Sequence, residues 1–317
     1  MSDRQAALGI DVGGTGTKGG IIDRSGNVLA GVEHPTDKNA GTKGILRVAE
    51  ELLELAEDMA IVVTSVGVGA AGFIDARSGS IIFAPNLTYD DPNIADALRA
   101  RVELPSVVDN DGNATVWGER AFGSAKGCDH LTLITLGTGI GSGFVIAGKL
   151  LRGSTGAGSE LGHTVVDVNG PPCKCGLRGC AEQLASGQAI ERMARAAAVE
   201  DSETSLVERA GSVDAITARH VAEAAGEGDE VATTVLRRAG IALGILMSNV
   251  ANLFDPEVIV LSGSVAKAGE PFLGPARDQL ARMTAAQRRR PLRIDITKLG
   301  KDAGVIGAAA LAFDEAN

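Results

Sequence analysis

The chain has 317 residues, 42 of them glycine, about 13% where roughly 7% is usual, and aromatic residues make up only 3%. At about 150 residues per domain that length predicts two domains, each able to bury a core without disulfides. A net charge of −10 and an isoelectric point of about 5.0 argue against a nucleic-acid-binding surface and against docking on an anionic membrane.

Residues 6–12 form an apolar run ending in the loop Gly13-Gly14-Thr15-Gly16, and residues 19–23 and 28–32 read as strands about a Ser25-Gly26-Asn27 turn. Helical spacing of Ile45, Leu46, Ala49, Leu52, Leu53 and Ala56 predicts a helix over 43–59, capped by Thr42. A strand over 64–68 closes on Gly69-Ala70-Ala71-Gly72, and an extended segment follows at 81–83. A helix over 94–101 precedes a strand over 105–109 that delivers Asn110-Asp111-Gly112-Asn113, and a further helix runs through 117–122.

The strand over 131–136 opens onto Gly137-Thr138-Gly139-Ile140-Gly141-Ser142-Gly143, and here the pattern restarts. The segments from Asp11 and from Thr135 each read as a Gly-Thr-Gly loop, a β-branched strand and a glycine turn, which predicts two copies of one hairpin unit. The remainder is helix-rich, with helices at 186–198, 217–225 and 230–254. A strand over 258–261, the loop Ser262-Gly263-Ser264, a helix to 284, a strand over 292–297 and a closing helix over 303–313 complete the chain. Strands alternating with helices make the class α/β.

The first residues lack the apolar core of a signal peptide. The uncharged stretch 239–254 is shorter than the ~20 residues of a membrane span and reads as a buried helix. The basic cluster Arg288–Arg290 has no interleaved aromatics and reads as a solvated turn. Three of the four cysteines lie within eight positions, which suits a metal in a reducing cytoplasm better than disulfides.

Glycine lets backbone N–H groups converge on an anion without a Cβ in the way. Neither glycine loop fits a P-loop or a dinucleotide fingerprint, because a strand follows each of them. Two hairpin loops offering N–H groups and threonine hydroxyls to a polyphosphate chain is the reading that remains. Asp11, beside the first loop, is placed to hold hydrated Mg²⁺. Asp111 ends a strand, where an α/β sheet presents catalytic groups, and its carboxylate can take the proton of an attacking hydroxyl; it can also cap the following helix.

His163, Cys173, Cys175 and Cys180 read H-x9-C-x-C-x4-C, a donor set for a tetrahedral structural Zn²⁺, with Pro171-Pro172, Gly176 and Gly179 supplying turns. Cys128 stands apart as an ordinary thiol. Glu160 and Glu182 flank the constellation, and an imidazole held by a metal through one nitrogen keeps the other for a ligand. Carboxylates beside a fixed imidazole predict a neutral, hydroxyl-rich substrate such as a sugar.

Together Asp11-Val12-Gly13-Gly14-Thr15, Asn110-Asp111, residues 136–141, Glu160-Leu161-Gly162-His163 and the segment from Cys173 to Glu182 resemble the ROK family of sugar kinases and repressors, over nearly the whole chain. Within that family the likeness is greatest to bacterial kinases of glucose.

The resemblance implies an actin-like, hexokinase-like pair of domains with a cleft between them. Residues 1–115 with 300–317 would form the smaller domain, and 116–299 the larger. It implies Asp111 as catalytic base, with Gly72, Asn86, Asn110, Glu160, His163 and Glu182 as sugar contacts. Asp11, Gly13, Gly14, Thr15, Gly137, Thr138 and Gly139 would serve the phosphates, and Gly263 and Ser264 the adenosine. Substrates would be glucose and ATP with Mg²⁺, the enzyme cytoplasmic and a homodimer or homotetramer.

Two departures from the family pattern stand out. Gly13-Gly14-Thr15-Gly16-Thr17-Lys18 replaces the usual Gly-Gly-Thr-Lys and is similar to polyphosphate-using members, which usually lack the cysteine cluster; Ser262-Gly263-Ser264 replaces three glycines. The rival readings are a kinase of fructose, mannose or N-acetylmannosamine, a polyphosphate-using glucose kinase, and a sugar-sensing repressor. The repressor would carry a helix-turn-helix domain ahead of the first loop, and ten residues precede Asp11.

Overall fold

The computed structural model describes residues 5–75, 77–84, 87–201, 203–283 and 290–315. The chain opens with β1 (Gln5–Val12), β2 (Gly16–Asp23), β3 (Val28–Pro35), α1 (Gly41–Asp58), β4 (Val62–Ala70), β5 (Phe73–Asp75) and β6 (Ser80–Phe83). It continues through α2 (Ile94–Val102), β7 (Ser106–Asn110), α3 (Asp111–Ala121), β8 (Leu131–Leu136), β9 (Ile140–Ile146) and β10 (Lys149–Leu150). Helices α4 (Glu182–Ala185), α5 (Gly187–Glu200), α6 (Leu206–Ala210), α7 (Ala218–Gly226) and α8 (Glu230–Phe254) follow. The last elements are β11 (Val258–Ser262), α9 (Glu270–Met283), β12 (Arg293–Ile296) and α10 (Ala303–Glu315).

Two five-stranded sheets carry the fold, in the orders β3-β2-β1-β4-β7 and β10-β9-β8-β11-β12, with β5 and β6 as a separate pair. The orders match position for position: a three-strand meander, then two strands added beyond its first member. β1, β4 and β7 run parallel, as do β11 and β12. The hairpin duplication read from the two glycine loops is therefore a duplication of whole sheets.

Contacts divide the chain into two units, Met1–Leu133 with Gly143–Ser159 and Thr297–Asn317, and Ile134–Ser142 with Glu160–Ile296. This differs from the partition at 115/116 and 299/300 read from the sequence. Helix α3 belongs wholly to the first unit, because it packs on α10: a Cβ on Gly118 would lie 2.8 Å from the Cα of Gly307.

In the first unit β1 and β4 are buried on both faces, so they read as unbroken apolar runs rather than alternating ones. One face is covered by α1 through Ile45, Val48, Ala49, Leu52 and Ala56. The other is covered by α10, which is buried from Val305 to Phe313 and accordingly apolar all round. α10 lies almost on the sheet backbone: a Cβ on Gly9 would come within 1.9 Å of Val305 O, and one on Gly67 within 1.8 Å of Ala308 O. In the second unit α8 is a core helix with thirteen buried residues, and α9 closes on it over Gly240 and Gly244.

One predicted cap differs. Helix α1 starts at Gly41 with Ala40 as an N-cap that offers no side chain, and the Thr42 hydroxyl instead donates to Asp91 O at 2.6 Å. Arg290 pairs with Asp255 at 3.0 Å, while Arg288 and Arg289 lie outside the described residues.

Candidate active site and metal centre

In the first unit β7 ends at Asn110, which is the N-cap of α3. Its Oδ1 accepts from the N–H groups of Gly112 at 2.8 Å and Asn113 at 3.2 Å. Capping thus falls to Asn110, and Asp111 occupies the first helical position with its carboxylate released from that task. Asp111 Oδ1 accepts from Gly112 N–H at 2.9 Å. Loss of hydration raises the Asp111 pKa, against the lowering pull of the Gly112 N–H, its own N–H and the Asn110 side chain. The Asn110 Nδ2 donates to Gly72 O at 3.1 Å, which ties the turn to the loop after β4.

Asp11, the penultimate residue of β1, faces Lys18 across the β1–β2 pair. Its carboxylate sits at the first turn of α10, where a Cβ on Gly304 would lie 2.4 Å from Oδ2. Burial and then the Asp111 charge push its pKa up to about 6, with Lys18 opposing. The first loop is closed by Gly13 N–H donating to Gly16 O at 3.0 Å and strapped by the Thr36 hydroxyl on Gly13 O at 2.8 Å. Gly14 has open space where a Cβ would be, and Thr15 is exposed. Tyr89, the only tyrosine, was not singled out in the sequence; its hydroxyl is buried with no hydrogen-bond partner among the described residues. Burial first and the Asp111 charge second raise its pKa.

In the second unit the loop Gly137-Thr138-Gly139 is closed by Gly137 N–H on Gly139 O at 3.0 Å and buttressed by the start of α5, whose Gly187 N–H donates to Gly137 O at 2.8 Å. The Glu182 carboxylate is drawn to this loop: Oε2 accepts from Ile140 N–H at 3.1 Å, and a Cβ on Gly139 would lie 2.4 Å from it. Glycine at 139 is the condition for that contact. The Leu161 N–H donates to the Ser142 hydroxyl, anchoring the short 3₁₀ turn Leu161–His163 that follows Glu160. Gly263, at φ +88°, lies against Leu136 O, with Ser264 exposed beyond it.

One ligand atom from each of His163, Cys173, Cys175 and Cys180 falls within 4.8 Å of all the others. Cys173 Sγ is 3.6 Å from His163 Nδ1, and Cys175 Sγ is 3.6 Å from Cys180 Sγ. A tetrahedral zinc with Zn–S bonds of about 2.3 Å sets its sulfurs roughly 3.7 Å apart, so the donor set and spacing fit the ion. The turn is built by Cys173 N–H on Leu177 O and Gly176 N–H on Cys173 O. Burial and the neighbouring thiols push the Cys180 thiol up to about 12, whereas the Leu177 N–H lowers that of Cys175. Approach through Nδ1 leaves His163 Nε2 available to a ligand. Cys128 is buried apart from the cluster.

The first unit thus gathers Asp11, Gly13, Gly14, Thr15, Gly72, Asn110 and Asp111, and the second gathers Gly137, Thr138, Gly139, Glu160, His163, Glu182, Gly263, Ser264 and the cysteines. Asn86 lies outside the described residues. Besides Tyr89, two residues of this neighbourhood escaped the sequence reading, Asp109 and Arg152, which form an ion pair at 2.7 Å.

The ROK family pattern matches residues 7–315. The glucokinase of Thermotoga maritima is 35% identical over 306 residues, covering 96% of each chain. Among solved structures, a ROK family glucokinase from Streptomyces griseus in complex with glucose and AMPPNP is 38% identical with a TM-score of 0.84, over 98% of this chain and 99% of that one. A ROK family transcriptional regulator is 25% identical with a TM-score of 0.89, over 99% of this chain and 78% of its own. The chain belongs to the ROK family, and its α/β fold is the two-domain, actin-like ATPase fold of that family's sugar kinases.

Proposed function

We propose that this chain is a glucokinase, moving the terminal phosphate of ATP to the 6-hydroxyl of glucose. The observation that carries the reading is Asp111: a carboxylate freed from capping, fixed by the Gly112 N–H and raised in pKa, as a base for a sugar hydroxyl should be. The likeness to glucokinases over nearly the full length supports glucose as the acceptor.

In this reading Asp111 orients the 6-hydroxyl and accepts its proton as the oxygen attacks phosphorus. Asn110, Gly72, Glu160 and Glu182 take the other hydroxyls, with Asn86 a further expected contact, and His163 Nε2 orients one of them. The loops at Gly13-Gly14-Thr15 and Gly137-Thr138-Gly139 offer N–H groups to the phosphates, and Gly263 and Ser264 border the nucleoside. Asp11 is the carboxylate that would hold the hydration shell of a magnesium ion bound with ATP, and that ion would supply charge neutralisation at the migrating phosphoryl group. His163, Cys173, Cys175 and Cys180 hold structural zinc.

The test is a coupled assay of glucose, mannose, fructose and N-acetylmannosamine against ATP, GTP and polyphosphate, with Asp111→Asn beside the wild type. Glucose with ATP should give the highest kcat/KM. Asp111→Asn should lower kcat by about 10²- to 10⁴-fold while glucose still binds. Preference for another hexose or for polyphosphate, or normal turnover in the variant, would overturn the assignment.

A further inference from the structure

Asp109 is buried in the first unit, 1% exposed, immediately before the Asn110-Asp111 turn. Each of its carboxylate oxygens is engaged. Oδ1 accepts from Asn110 N–H and from Asn113 Nδ2, both at 2.8 Å, and Oδ2 accepts from Arg152 Nε at 2.7 Å. Every bond it makes inside α3 and β7 therefore grips a residue flanking Asp111 on one side or the other. Arg152 comes from the segment after β10. That segment folds back on itself, with Gly158 N–H on Arg152 O at 3.1 Å and the Ser159 hydroxyl on Leu151 O at 3.0 Å, and then continues directly into Glu160.

The Asp109 carboxylate is buried while the Arg152 side chain is 36% exposed, so the pair is a poor device for stability alone: desolvating the carboxylate offsets much of a Coulomb attraction that solvent around Arg152 already weakens. Its advantage is direction: charge-assisted hydrogen bonds at these lengths fix orientation. We propose that Asp109 and Arg152 are a positioning pair that sets the angle of the strand-to-helix turn carrying Asp111 and links it to the loop leading into Glu160. The inference rests on Asp111 being the base. Neither residue touches the reacting atoms; they act through the Asn110 N–H, the Asn113 amide and the course of the 152–158 loop.

The test compares Arg152→Gln, Arg152→Lys, Asp109→Asn and the double variant Asp109→Asn/Arg152→Gln with the wild type. The readouts are kcat and KM, the glucose dissociation constant by calorimetry, and the thermal midpoint. A small misplacement of a reacting group can cost on the order of 10²-fold in rate, so Arg152→Gln should lose about that in kcat with glucose affinity little changed. Arg152→Lys, keeping the charge and one donor, should recover a large part of the loss, and the double variant should be no slower than the worse single one.

A kcat per folded molecule close to wild type in Arg152→Gln, whatever its thermal midpoint, would reduce the pair to scaffolding and overturn the proposal. If Arg152→Gln fails to fold, Asp109→Asn, which preserves size and the acceptor for Asn110, decides by the same split of kcat from affinity. Asp111→Asn separates the two readings. Full turnover there removes the base itself, while an inactive Asp111→Asn beside a fully active Arg152→Gln removes only the positioning pair.

Discussion

Asp11 shows how a single carboxylate can work against the stability of the fold that uses it. Its pKa is held at about 6 against 3.8 in an unfolded chain, so the folded state binds the proton more tightly. The stability linked to that proton is fully present below pH 3.8 and is lost as pH rises through about 6, leaving a cost at neutral pH. Two pKa units correspond to at most about 3 kcal/mol, and the partial access of the side chain brings the expected cost to roughly 2 kcal/mol. Asp11→Asn should therefore stabilise the protein by about that amount in urea unfolding at pH 7.5, with the gain shrinking toward zero at pH 4. A gain that does not depend on pH would refute the linkage. The same variant should lose activity, since Asp11 is proposed to serve the metal–nucleotide, and this is the usual exchange of stability for function.

Among the elements, those with an internal pattern were legible in the sequence. The apolar run of β1 ending in glycines, the heptad-like face of α1 and the cysteine spacing all announce themselves locally. What was not legible depends on partners far along the chain. The Thr42 hydroxyl is claimed by Asp91 O, 49 positions away, which no capping rule foresees, and Arg152 reaches Asp109 across 43 positions. Asn110 rather than Asp111 became the cap because α3 already begins at Asp111.

The turn proposed to hold zinc gives an element-scale prediction. Chelation, or Cys175→Ser, should release the turn that connects His163 to Glu182 and raise the KM for glucose on the order of tenfold or more, with metal analysis falling from one zinc per chain. The β9–β10 hairpin gives another. Ala147 and Gly148 form its two-residue turn at φ +50° and +72°, the left-handed pair that favours Asn-Gly. Ala147→Asn should stabilise by about 0.5–1 kcal/mol in thermal or urea unfolding without altering kcat.

Across the whole molecule, the duplicated sheet order explains much of the glycine excess. Two glycine loops recur at equivalent places, and other glycines exist because helices lie directly on strands. Gly67 is the strictest test of the second cause. Its absent Cβ would overlap the backbone oxygen of Ala308, which no rotamer change can relieve, so Gly67→Ala should cost at least about 2–3 kcal/mol in chemical denaturation despite adding one methyl group to an apolar site. A neutral Gly67→Ala would mean that α10 can retreat from the sheet.

That close seating of α10 also has a consequence during synthesis. The sheet face it covers is complete once β7 has been made, yet about 180 residues separate α3 from α10. At roughly 5–20 residues per second, the face of β1 and β4 waits some 10–40 s for its cover to leave the ribosome. The first unit begun is thus the last to be finished, and its nascent form is an exposed apolar sheet that a holdase chaperone would be expected to recognise.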